Sequence, residues 1–277
     1  MPSMFNARDA SNYERLMGRW SRRLAPLFIE HAGIAKGDEV IEVGCGTGSL
    51  TFTLPQKAIL ARLTAIDHSD IYLAAAMAKN RDSRIRFEQG DGCALPFPDA
   101  RFDRALSMLV LPSVVPQPEL MVAEMRRVTR PGGVVAAAFW DSPGGSPSQR
   151  MLWDTAAAFD KAAAEARDRT MGRPIYAPGA MAQMWTEVGL IDIDQRSLIY
   201  EWTSPISPIT GSRSRVARAR SAPMSRHSAI AGDVGDDRRI EAFDPLEDDD
   251  RAAAGTLEFE DGRGDVEFTP DRFADAH

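Results

Sequence analysis

The sequence predicts an α/β fold: a doubly wound, mostly parallel sheet covered by helices. Two observations carry this. Residues 40–50, Val-Ile-Glu-Val-Gly-Cys-Gly-Thr-Gly-Ser-Leu, join a short apolar run to three alternating glycines, Gly44, Gly46 and Gly48. They lead into residues 49–54, which can open a helix. A continuous apolar run of this length reads as a buried parallel strand, and the turn after such a strand is where open α/β sheets bind nucleotides. Further short apolar runs then alternate with helix-like segments, as crossover connections in a parallel sheet require.

The elements follow in order. Between residues 9 and 32, Leu16, Met17, Trp20, Leu24, Leu27 and Phe28 recur at three- and four-residue spacing. That spacing predicts an amphipathic helix with Arg15, Arg22 and Arg23 on its opposite face. A turn at 35–38 leads into the first strand, and residues 61–66 form the second. Residues 71–80 are a crossover helix, 85–88 a short third strand and 104–109 a fourth. Pro118–Val128 is an amphipathic helix ended by the turn Arg130-Pro131-Gly132-Gly133, and residues 134–140 are an almost wholly apolar fifth strand. Residues 149–167 read as one Ala-rich helix. Residues 178–188 read as another, stopped by Gly189, and 190–202 as a strand.

A chain of 277 residues with 44% hydrophobic content allows one large domain, or one domain with an appendage. A net charge of −7 argues against a general nucleic-acid binder. Two cysteines, Cys45 and Cys93, make no disulfide framework. Residues 1–12 are polar with no apolar signal core, and the apolar stretches are too short to span a bilayer. The expectation is a soluble, cytoplasmic protein.

The glycine turn also carries chemistry. A dinucleotide site wants a third glycine where this chain has Ser49. Glu42, two residues before Gly44, would repel a pyrophosphate docked at the turn and favour a ligand bearing an ammonium and a sulfonium. Asp67, nineteen residues beyond Gly48, ends the second strand, where doubly wound folds place an acid against both ribose hydroxyls.

Glu42-Val-Gly-Cys-Gly-Thr-Gly closely resembles the first motif of class I S-adenosylmethionine-dependent methyltransferases, and Arg-Pro-Gly-Gly before a strand is similar to a later one. The likeness runs densely from Tyr13 to Trp140 and is closest to the methyltransferase type 11 group, which includes the ubiquinone/menaquinone C-methyltransferases. It implies a Rossmann-like methyltransferase fold with S-adenosyl-L-methionine as cofactor. The cofactor would meet Glu42, Gly44, Cys45, Gly46, Gly48, Asp67 and, as a pocket wall, His68. Asp91 would take the adenine amino group, and Gly92 and Cys93 would offer backbone N–H groups. The stretch from Ser107 and Met108 to Leu111, at the carboxyl end of the fourth strand, would line the sulfonium and the acceptor. The loop Pro112-Ser113-Val114-Val115-Pro116 departs from the family, which often carries Asn there. By the same likeness residues 1–33 form an N-terminal lid helix, most of whose residues pack on the sheet while Tyr13, Gly18, Arg19 and Trp20 cap the crevice, and residues 34–205 form the methyltransferase domain.

No catalytic residue and no metal ligand is assigned. Methyl transfer from a sulfonium is an in-line displacement that orientation serves well, and none of the four histidines sits in an acid–base arrangement. The function implied is methyl transfer to a small-molecule acceptor. Alternatives are an RNA or protein methyltransferase, and a cofactor-binding protein without turnover. Beyond Gly211 the chain has ten Arg, no Lys and sixteen Asp or Glu. That composition predicts disorder, or a tail displaced by a frame shift. The seventh, antiparallel strand of this fold has no convincing candidate there, so residues 206–277 are expected to lie outside the sheet.

Overall fold

The structure, a computed structural model, describes residues 9–145, 147–204 and 207–222. Its centre is a seven-stranded sheet in the order β3-β2-β1-β4-β5-β7-β6. The first five strands are β1 (Glu39–Val43), β2 (Arg62–Asp67), β3 (Ile85–Gln89), β4 (Phe102–Met108) and β5 (Thr129–Trp140). All four pairings among them are parallel. The order reverses at β1, so the crevice between β1 and β4 is the topological switch point of the sheet. The Arg130–Gly133 turn bulges out of β5, since Thr129 pairs with Phe102 and Val134 resumes opposite Arg104.

The sheet's two faces are covered by different elements. On one, Val40, Leu63, Leu106, Ala136 and Val216 pack beneath Leu24, Phe28 and Ala32 of the N-terminal helix α2 (Arg19–Ala32). On the other, Ile41, Ala105, Val135, Ala137 and Phe139 pack against α5 (Pro118–Val128) and the fully buried Trp185 of α8 (Ala180–Glu187). Each fully buried large side chain contributes roughly 1.5–3 kcal/mol. Local chemistry fixes the ends. Ser69 Oγ accepts from Tyr72 N to cap α4 (Asp70–Lys79), and Gly33 ends α2 at φ 63°. Among the described residues no helix is long and apolar enough to cross a membrane.

The structure corrects three expectations. First, the glycine turn does not run directly into a helix. Residues 49–53 form successive turns, and only Leu54–Lys57 (α3) is helical. Second, the Ala-rich segment is two helices, α6 (Pro147–Phe159) and α7 (Lys161–Met171), broken where Asp160 turns extended and caps α7 through Ala162 N. Third, the seventh strand exists. β7 (Ser207–Ser221) runs antiparallel between β5 and β6 (Leu190–Ser204), from Val134↔Arg220 to Trp140↔Ser214 on one side.

The reason is that two arginines of this strand, Arg215 and Arg218, meet carboxylates of the fold. Ser214, Val216, Ala217 and Ala219 are buried alongside them. Arg215 Nη2 lies 3.2 Å from the buried Asp141 Oδ1, and Arg218 Nε 3.6 Å from Asp194 Oδ2. Arg215 also donates to Tyr176 O at 2.9 Å. Residues 223–277, which include the acidic stretch 247–250, lie outside the described residues.

Candidate cofactor site

The site is assembled at the carboxyl ends of β1, β2, β3 and β4. Gly44 N and Cys45 N both donate to Ile66 O, at 2.8 and 3.0 Å, which ties the glycine turn to β2. Gly44, Gly46 and Gly48 take φ values of 80°, 53° and 93°, the left-handed region where a side chain is strained. Asp67 closes the turn: Oδ2 accepts from Gly46 N at 2.7 Å and Oδ1 from Ser69 N at 2.9 Å. Its carboxylate therefore fixes the turn as well as facing the cleft.

The next wall comes from the loop after β3. Gly90 N donates to Asp67 O, and Asp91 Oδ1 accepts from Cys93 N at 2.8 Å. Burial pushes the Asp91 carboxyl up, but hydrogen bonding, that of the Cys93 amide foremost, holds it below its ordinary value. Glu124 and Arg127 of α5 clamp this loop. Leu95 N donates to Glu124 Oε2 at 2.7 Å, and Arg127 donates to Leu95 O and Phe97 O. Gly92 must lack a side chain, since a Cβ there would overlap Val43.

Between these walls lies a cleft of about 150 Å³. Its floor is Val43, Gly44 and Ile66, and its polar rim is Asp67, His68 and Asp91, with Gly92 and Cys93 beside them. The opposite wall is apolar: Val110, Val114, Val115 and Met121. Ligand pockets commonly measure roughly 300–1,000 Å³, so this cleft holds about half of a nucleoside-sized ligand with an amino-acid arm. The other half of the crevice, over Gly46 and Thr47, is covered by the N-terminal helix. The Tyr13 hydroxyl stands 3.8 Å from where a Gly46 Cβ would be, and the Tyr13 ring lies 4.9 Å from that of Tyr72. Burial pushes the Tyr13 phenol up to about 12, helped by Asp67, Glu14 and Glu42.

Six of the residues predicted for the site line the cleft: Gly44, Asp67, His68, Asp91, Gly92 and Cys93. Others lie elsewhere. Cys45 is buried against Ala65 and Leu73, where burial raises its thiol pKa well above the ordinary value and keeps it protonated. Gly46 sits under the lid. A side chain at Gly48 would overlap Phe52. Ser107 and Met108 are buried in β4, and the wall is made by Val110 beyond them, after Leu109 turns at φ 68°. Ser107 Oγ is buried without a hydrogen-bond partner among the described residues. Of the lid residues, Arg19 stacks over Trp20 at 4.4 Å, and neither lines the cleft.

Glu42 requires the largest correction. The sequence suggests a charged carboxylate facing the ligand. In the structure Glu42 is 2% exposed, beneath the turn, and accepts from Thr51 Oγ1 at 2.6 Å. Burial pushes its pKa up to about 8, so unliganded it is mostly neutral at pH 7. Met121 and Glu14 were missed altogether. Met121 reads as an ordinary core residue of an amphipathic helix, and only the helix's position at the switch point brings it to the cleft.

A parallel sheet with this reversal, carrying a glycine turn at its switch point, is the doubly wound α/β arrangement, whose strand-end crevices are where such sheets bind ligands. Residues 41–137 match the family described as methyltransferase domain. The matched stretch holds the glycine turn, Asp67 and Asp91. A phosphatidylethanolamine N-methyltransferase from Cereibacter sphaeroides is 41% identical over 105 residues, 36% of this chain and 50% of that protein. A demethylmenaquinone methyltransferase from Renibacterium salmoninarum is 35% identical over 135 residues, 49% of this chain and 54% of that protein. The matches thus span about half the length of these relatives. A crystal structure of a SAM-dependent methyltransferase from Methanosarcina mazei aligns with a TM-score of 0.53 at 18% identity, over 70% of this chain and 97% of that one, and shares the fold.

Proposed function

We propose that this chain transfers a methyl group from S-adenosylmethionine to a small-molecule acceptor. The observation that carries the reading is the pairing of Asp67 and Asp91 on one rim of a cleft whose other wall is apolar. Two carboxylates set at successive strand ends suit the ribose hydroxyls and the adenine amino group. Val110, Val114 and Met121 suit the flat face of a base. Gly44 and Gly92 let backbone approach where a Cβ would collide, and the Gly92 and Cys93 amides flank the base position. His68, with Nδ1 3.5 Å from Asp67 Oδ1, forms the outer wall. Gly46, Gly48 and Glu42 shape the amino-acid end, with Cys45 filling the space behind the turn. Ser107 and Met108 support the wall at the sulfonium end from within β4.

The cofactor supplies an activated methyl group when bound. The chain's part is to hold and orient the two reactants and to exclude water, which can account for several kcal/mol of barrier. No side chain in the cleft is assigned as a general base. The domain extends to the end of β7 at Ser221. The reading as a cofactor binder without turnover drew its support from a missing seventh strand, and β7 removes that support.

The acceptor is proposed to be a small molecule because the relatives' names, phosphatidylethanolamine N-methyltransferase and demethylmenaquinone methyltransferase, specify non-polymeric substrates. The test is incubation of the full chain with methyl-labelled S-adenosylmethionine and a panel of amines, quinols, hydroxyl compounds and carboxylic acids, with tRNA and a protein lysate in parallel. Label in a small-molecule product supports the proposal; label in RNA or protein alone refutes the acceptor class.

A further inference from the structure

Glu14 is placed to fasten the N-terminal helix over the glycine turn. The helix is not regular there: α1 (Ala10–Tyr13) passes through a π-turn, Glu14–Gly18, before α2 begins. Such turns are rare and concentrate at functional sites. This one aims the Glu14 carboxylate down onto three separate elements. Oε1 accepts from Thr47 Oγ1 within the glycine turn and lies 3.4 Å from Lys79 Nζ at the end of α4. Oε2 pairs with Arg22 of α2. Gly18 makes this path possible, because a Cβ at that position would overlap the Glu14 carboxylate. Burial pushes the Glu14 carboxyl up, but its contacts with Thr47, Arg22 and Lys79 more than offset this and keep it ionised.

The fastening is light. Glu14, Lys79 and Arg22 side chains are 23%, 49% and 54% exposed, and exposed ion pairs are individually weak. It also sits where it matters. The open cleft ends at Gly44, and the turn beyond it, at Gly46 and Thr47, lies under Tyr13 and Glu14.

We propose that residues 10–18 form a lid, hinged on α2 and latched to the glycine turn through Glu14, and that a cofactor reaches the amino-acid half of its site only when this latch opens. The inference rests on the cofactor reading above and adds a gate to it. Release of Glu14 frees Thr47 and Lys79 together, so one carboxylate couples the lid to both walls of the crevice.

The test uses Glu14→Ala in the full chain. Alanine removes the carboxylate while favouring the helix. Stopped-flow binding of S-adenosylhomocysteine, followed through Trp20 fluorescence, should show association and dissociation rates both raised about tenfold, the scale of losing one charged hydrogen bond. Lys79→Met should show a smaller rise in both. In the ligand-free protein, trypsin cleavage at Arg15 and Arg19 should quicken in the same order. Unchanged cleavage in Glu14→Ala overturns the latch. Faster cleavage with unchanged binding rates shows a lid that does not gate entry, and overturns the proposal equally. If the wild-type chain does not bind S-adenosylhomocysteine, the cofactor reading fails, and the cleavage rates still report on the latch alone.

Discussion

Replacing Glu42 with Gln should change how stability depends on pH. The amide keeps the size of the side chain and can still accept from Thr51 Oγ1, which now lies 2.6 Å from the carboxylate, but it cannot ionise. In the folded chain burial pushes the Glu42 pKa up to about 8, from an ordinary value of 4.5. The folded state therefore holds this proton more tightly than the unfolded state does. Stability falls as pH rises from about 4.5 through about 8, and the Glu42 contribution is flat on either side. A shift of 8 − 4.5 = 3.5 units corresponds to a loss on the order of 5 kcal/mol across that window. The variant should match the wild type at pH 5 and exceed it by several kcal/mol at pH 9. Urea unfolding midpoints at one-unit intervals from pH 5 to 9 measure this directly. Parallel curves for the two proteins would show that Glu42 is already ionised in the fold, and the burial argument would be wrong. The same proton bears on the ligand. At pH 7 a group with a pKa near 8 is about nine-tenths protonated. A cationic amino-acid arm that draws out the carboxylate should then release close to one proton on binding. Calorimetry in buffers of different ionisation enthalpy reads that number, which should vanish in Glu42→Gln.

Three further outcomes test other parts of the structure. Arg215→Met removes the cation beside the buried Asp141 carboxylate and should lower stability by roughly 3–5 kcal/mol, while Arg215→Met with Asp141→Leu should recover part of it; equal losses in the single and double variants would show that the pair is not coupled. Gly44→Ala places a Cβ into Val110 at a φ of 80°, and should lower stability by about 1–3 kcal/mol and weaken S-adenosylhomocysteine binding; adding Val110→Ala should restore part of the binding, and no recovery would locate the strain in the backbone alone. A chain ended after Ala222 should keep one cooperative thermal transition, whereas one ended after Ser204 loses β7 and with it the central antiparallel pairing; a cooperative transition in the shorter chain would contradict the role given to β7.

The parts of the fold with strong periodicity were legible in the sequence. The first three strands and Pro118–Val128 fall within a residue or so of their predicted positions, because apolar runs bounded by Gly, Pro and capping residues leave few alternatives, whereas β4 starts two residues early and β5 reaches back to Thr129 across the Arg130–Gly133 bulge. β7 was not legible. Its apolar residues are Val216, Ala217 and Ala219, small and set among arginines, and the carboxylates that meet Arg215 and Arg218, Asp141 and Asp194, lie far away in sequence. Composition counts such charges as solvated, and only the sheet pairs them. Asp67, Asp91 and the glycine turn were readable because each follows the end of a strand, which fixes its place on the rim. The environment of Glu42 was not, since whether an acid beside a turn faces solvent or lies beneath it depends on Thr51 folding back, nine residues on. Val110 falls within the predicted stretch 107–111, but Met121 looks like any core residue until the switch point brings the two together.

A crystal structure of the full chain with bound S-adenosylhomocysteine tests the central claim most directly. The account predicts the ribose hydroxyls on Asp67, the adenine amino group on Asp91, the base against Val110 and Met121, and the amino-acid arm over Gly46 with Tyr13 and Glu14 closed over it. A ligand bound away from the β1–β4 crevice, or one that leaves Asp67 and Asp91 untouched, would contradict it.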